Sequence, residues 1–97
     1  MGDVVRFERV PLRIIRYRRI MMHQFHIHIH SLQQVQEFVS LAMVQPFEVL
    51  VGNEKQQING KSFIGMFSLD YKHPLQVRVK CSEEEFLRFR QDAAQFL

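Results

Sequence analysis

Five histidines and a handful of serines carry most of the chemistry available to this chain. His26, His28 and His30 recur at every second residue, and in an extended strand that spacing sets neighbouring side chains about 6.5–7 Å apart on one face. Two imidazoles at that distance can share a transition metal. No carboxylate in the same strand offers an outer-shell partner for such an ion, so the row is expected to be solvated imidazole with no metal bound. Ser31, Ser62 and Ser82 each precede an apolar run, the place where a hydroxyl caps a helix. Cys81 is the single cysteine. It has no intrachain partner for a disulfide, and structural zinc sites draw on several Cys or His ligands, so a reducing, cytoplasmic setting is expected.

The elements that position these groups follow from periodicity. From Met22 the chain alternates, with His23, Phe25, Ile27 and Ile29 on one face and Gln24, His26, His28 and His30 on the other, the pattern of a half-buried antiparallel strand. Ser31 with Gln34 has capping-box spacing, and Leu32, Val35, Phe38, Val39 and Ala42 then recur at helical intervals. Phe47, Val49 and Val51 mark a second strand, and Gly52-Asn53 turns it into a short third strand near Gln56–Asn59.

The segment Ser62–Leu69 is apolar almost all round. Phe63, Ile64, Met66 and Phe67 crowd about two helical turns, which leaves part of that surface exposed. After turn chemistry at Asp70–Pro74, Leu75, Val77, Val79 and Cys81 alternate with Gln76, Arg78 and Lys80 in a fourth strand. Ser82 and Glu85 form another capping box, Glu83–Glu85 complement the helix dipole, and Phe86, Phe89, Ala93 and Phe96 make the buried stripe of a last helix. The order β-α-β-β-α-β-α predicts an α+β open-faced sandwich: a four-stranded antiparallel sheet with three helices on one face. The core is expected to be rich in Phe, of which the chain has nine, and free of Trp.

Length and charge set the remaining bounds. Ninety-seven residues suffice for one domain and exclude a multidomain enzyme. The net charge of +3 is uneven: residues 1–20 carry six arginines against Asp3 and Glu8, whereas residues 21–97 carry seven Lys and Arg against eight Asp and Glu. The chain therefore divides into an Arg-rich extension, 1–20, and a nearly neutral domain, 21–97. In the extension a strand fits one stretch and a basic amphipathic helix after Pro11 fits another. One reading makes it an arm for nucleic acid or an anionic surface; the other makes it an appended segment upstream of Met21-Met22. An apolar arm of this kind can also pair with a sheet edge and form a homodimer. Arginines interrupt every apolar run near the start, so no signal peptide or membrane span is expected.

Residues 60–69, GKSFIGMFSL, resemble the Lys-Ser-x-x-Gly-x-x-Ser-Leu segment of HPr, the phosphocarrier of the bacterial sugar phosphotransferase system. The resemblance extends over Met22–Leu97 in the spacing of elements, a Phe38-Val39 pair in the first helix and the acidic start of the last. It implies an HPr-like fold, protein partners within the phosphotransferase system, no cofactor, and first and last strands side by side, which would put Arg78 and Lys80 on the histidine face. It also implies a phosphocarrier His at the start of the first helix, where this chain reads HSLQQVQEFV. Aligning Phe38-Val39 puts Ser31 at that position with Gln33 and Gln34 where Arg and Pro belong; aligning Leu32 puts Gln33 there and leaves the loop two residues short. Neither supplies an imidazole at the position, and His30 is one residue out of register.

Phosphocarrier activity through His30 or Ser31 is therefore not expected, and the chain is read as a non-catalytic member of the family. A regulatory relative also has Gln in place of the His and keeps the serine. Ser62 matches the serine that HPr kinase/phosphorylase modifies in related proteins, and Phe63, Ile64 and Phe67 match the family's partner-docking patch. The function expected from the resemblance is a regulatory and docking module in sugar-transport control. If the extension instead binds polyanions, affinity for a nucleic acid will fall steeply with added salt and vanish on deleting residues 1–20, measured by a salt titration of the dissociation constant.

Overall fold

The structure is a computed structural model that describes residues 19–97. The Arg-rich extension up to residue 18 lies outside the described residues, and with it the expected basic arm. Strand β1 (Met21–Ile27) and strand β4 (Leu75–Cys81) form an antiparallel ladder of seven pairs from Met21↔Cys81 to Ile27↔Leu75. The ladder stops there because Pro74 has no N–H to extend it. His28 N–H donates instead to the Phe96 carbonyl at 2.6 Å, so the histidine row leaves the sheet after His26 although the in-out alternation continues through a buried Ile29.

Strand β2 (Val49–Gly52) pairs with β4 on one side and with β3 (Gln57–Asn59) on the other, giving the sheet order β1-β4-β2-β3. The β2–β3 hairpin depends on Gly52, where a Cβ would stand 1.9 Å from the Gln56 carbonyl oxygen. Asn53 completes the turn by accepting from the N–H groups of Lys55 and Gln56 at 2.8 and 2.9 Å.

Three helices cover one face of the sheet. Helix α1 (Leu32–Met43) buries Val35, Phe38, Val39 and Ala42 as its spacing predicts. Leu32, expected in that stripe, is 50% exposed, because the first helical residue sits beyond the edge of the layer beneath it. Helix α2 (Phe63–Phe67) is five residues and buries only Met66. Helix α3 (Glu83–Asp92) opens with a complete capping box at Ser82 and Glu85. It ends sooner than the apolar stripe suggests: Ala93 caps it, and a separate turn of 3₁₀ helix, Ala94–Phe96, carries the last aromatic. Phe86, expected in the buried stripe, is half-buried and stacks on His23 at 4.4 Å.

The core is aromatic at its centre. Phe89, fully buried, meets Phe25 of β1, Phe38 of α1 and Phe47 before β2 at centroid distances of 5.8, 6.3 and 5.7 Å. Phe38 in turn meets Phe96 edge-on at 5.5 Å. Edge-to-face pairs at such distances add to what area burial alone contributes. This is the α+β open-faced sandwich expected from the sequence. No described helix is long and apolar enough to cross a membrane. Because Phe89 joins three elements, Phe89→Ala will destabilise the domain by about 3–5 kcal/mol, read as a lowered urea midpoint with an unchanged slope.

Candidate functional site

The junction of β1 with α1 and the end of α2 face one another across a cleft of about 600 Å³. Ile29, His30, Ser31 and Leu32 form one wall; Phe67, Leu69, Asp70, Tyr71 and Lys72 form the other. The volume is in the range of about 300–1,000 Å³ typical of ligand pockets, but the cleft is open along its length. Two segments singled out in the sequence thirty residues apart, HSLQQ and GKSFIGMFSL, thus meet at one place.

On the first wall the side chains are engaged locally. The Ser31 hydroxyl accepts from Gln34 N–H at 3.2 Å, the helix cap that its position predicts. The reciprocal half of the capping box is displaced by one residue: Gln34 Oε1 accepts from the His30 N–H at 2.6 Å. Gln33 Nε2 donates to Glu37 Oε2 at 3.4 Å along the helix. Ser31 and Gln33 therefore serve the helix, and no base that could activate Ser31 is bonded to its hydroxyl. The His30 imidazole is exposed at the rim, parallel to His28 within 5° at 6.4 Å.

The second wall shows what sequence reasoning missed. Residues 70–74 read only as a turn, yet Lys72 from that turn lines the cleft as a cation. Asp70 Oδ1 accepts from the Lys72 N–H at 2.9 Å and fixes the bend. The Tyr71 hydroxyl donates to the Met66 carbonyl, tying the turn to α2, and burial pushes its pKa up. No local pattern could have flagged Lys72, because its place in the cleft comes from the packing of α2 on α1.

Helix α2 rises from the same rim. Ser62 caps it, its hydroxyl accepting from Gly65 N–H at 3.0 Å. Phe63, Ile64 and Phe67 are 38, 82 and 57% exposed, with the two phenyl rings stacked at 5.8 Å. Buried Met66 and Leu69 hold the helix to the core while these three face solvent. Together they form an exposed apolar patch on one short helix.

The histidines disperse. His26 lies over a smaller recess of about 170 Å³ with Gly52, Asn53, Glu54, Pro74 and Gln76, whereas His30 belongs to the cleft. Arg78 and Lys80 do lie on β4 opposite Gln24 and Met22 of β1. Among the described residues no group of three or more His, Cys, Asp or Glu could hold a metal ion. His23 has a buried Nε2 with no hydrogen-bond partner. Cys81 is 1% exposed, and burial, with the Glu85 carboxylate as a lesser cause, pushes its thiol up to about 11.

No protein-family model matches the chain, and no curated protein matches it. Among solved structures the fold is similar to that of the crystal structure of HPr-C-His from Thermoanaerobacter tengcongensis, with a TM-score of 0.58 and 18% identity over 77% of this chain and 92% of that one. The fold is therefore HPr-like.

A thiol raised in this way is inert near neutrality. Cys81 will resist alkylation by iodoacetamide at pH 8, where an unfolded cysteine reacts. The folded state also holds that proton more tightly than the unfolded chain, so stability is intact below about pH 8.5 and falls as pH rises toward about 11. Urea unfolding across that range will show the fall, and Cys81→Ala will reduce it, leaving the part due to the raised Tyr71 hydroxyl above about pH 10.

Proposed function

We propose that the chain is a docking and regulatory module of the phosphotransferase type that is addressed through Ser62 and does not carry phosphate on histidine. The observation that supports it best is helix α2: Ser62 at its start and Phe63, Ile64 and Phe67 exposed together beside an open cleft. A partner that covers the three apolar side chains gains the hydrophobic contribution of their exposed area, and large aromatic anchors dominate such interfaces. Phosphate on Ser62, at about −1.5 to −2 charges, would stand next to that patch and change which partners it accepts. The proteins expected to read it are those of the phosphotransferase system and HPr kinase/phosphorylase.

Loss of the carrier step is argued from the cleft. A phosphocarrier needs a neutral imidazole nitrogen as nucleophile with cationic or N–H donors around the transferred group. At the cap of α1 stand a serine bound into the helix and a glutamine bound to Glu37. His30 precedes the cap, and its backbone N–H is bonded to Gln34 Oε1 and so is not free to hold a transferred group.

Intact mass spectrometry separates the outcomes. With HPr kinase and ATP, the γ-phosphoryl group moves to Ser62 Oγ, ADP and the hydroxyl proton leave, and one acid-stable phosphate is gained; Ser62→Ala abolishes the gain. With Enzyme I and phosphoenolpyruvate no phosphate is gained. An acid-labile phosphate in that second mixture, lost in His30→Ala, would overturn the reading.

A further inference from the structure

We propose that the free edge of β1 is a self-pairing surface, on which a second copy of this chain adds its own β1 antiparallel about a twofold axis and joins two four-stranded sheets into one. Among the described residues β1 is bonded only to β4, and its seven residues pair there in unbroken register without a bulge. The outer backbone groups of such a strand are a ready template for another strand.

Natural edges are normally blunted by charge, proline, a bulge or shortness. The opposite edge shows such devices: β3 has three residues, lies between Lys55 and Lys61, and Asn59 Oδ1 accepts from the Lys61 N–H at 2.9 Å where the strand ends. β1 shows none. Its sequence, MMHQFHI, contains no Lys, Arg, Asp, Glu or Pro. Ile20, Met21 and Met22, at the start of the same strand, are 57, 49 and 50% exposed.

A second copy is the occupant that the strand's own chemistry fits. In a twofold antiparallel pair centred on Gln24, Met21 falls opposite Ile27, Met22 opposite His26 and His23 opposite Phe25, so no side chain of fixed charge opposes another. The competing occupant is the chain's own start. A tight reversal directly before β1 finds no Gly, Pro, Asn, Asp or Ser between Leu12 and Ile20. A fold-back would therefore turn at Pro11 or earlier, or through a longer loop, and amide exchange separates it from self-pairing.

The test uses the full chain and reads molar mass by light scattering and sedimentation from micromolar to millimolar concentration. The expected result is a reversible monomer–dimer equilibrium, with β1 amide exchange slowed as dimer accumulates. Gln24→Glu sets two carboxylates together at the axis while facing Arg78 within its own sheet, and will weaken dimerisation by about tenfold or more. Gln57→Lys on the β3 edge will not. Melting temperature and circular dichroism report whether the variants fold, and Met22→Glu, which faces Lys80 within its own sheet and charges the same edge, serves if Gln24→Glu does not. A mass of one chain throughout, a dimer indifferent to the β1 variants, or β1 edge amides protected in the monomer would each overturn the proposal; the last would assign the edge to the chain's own N-terminal residues.

Discussion

The β1–β4 ladder is the constraint from which the rest of the molecule follows. It joins the first and last strands, and only when they are paired do Phe25, Ile27, Val77 and Val79 form one apolar surface wide enough for Phe89 to settle on. The point where the ladder ends also sets the site. Pro74 stops it at Ile27↔Leu75, and the chain must then turn from sheet to helix over His28–Ser31, so the rim of the cleft is where β1 runs out of partner.

The cleft and the α2 patch are two results of one packing arrangement. α2 is too short to be stable as an isolated helix, since nucleation alone is unfavourable for so few residues. Met66 and Leu69 beneath it and Tyr71 bonded to the Met66 carbonyl hold it in place. That anchoring leaves Phe63, Ile64 and Phe67 facing solvent, an arrangement maintained by the core at their expense. An exposed apolar patch and a neighbouring cleft that share the same support are positioned together.

Much of this was legible in the sequence because local chemistry and tertiary structure agree. Ser31 and Ser82 cap their helices as their spacing implies, Gly52-Asn53 makes the hairpin, and the period-two patterns of β1 and β4 bury the residues that they select except His23, which is half-buried. The differences arise where a neighbour far away in sequence decides. Leu32 has helical spacing but no layer beneath it, the Phe86–Phe96 stripe is split between α3 and a 3₁₀ turn, and Lys72 enters the cleft only because α2 lies against α1. The motif resemblance located Ser62 and the apolar helix, while the convergence of His30, Ser31 and Lys72 belongs to the folded state alone.

The order of the strands also bears on how the chain folds. β4 follows β1 only after two helices and two other strands, so the ladder closes across most of the described domain, and loop-closure entropy must be overcome before that pairing is rewarded. During synthesis β1 is out before its partner exists. Until residues 75–81 arrive its ladder to β4 cannot form. Of the sheet's three pairings, β1–β4 joins residues farthest apart in the chain and so carries the largest loop-closure cost.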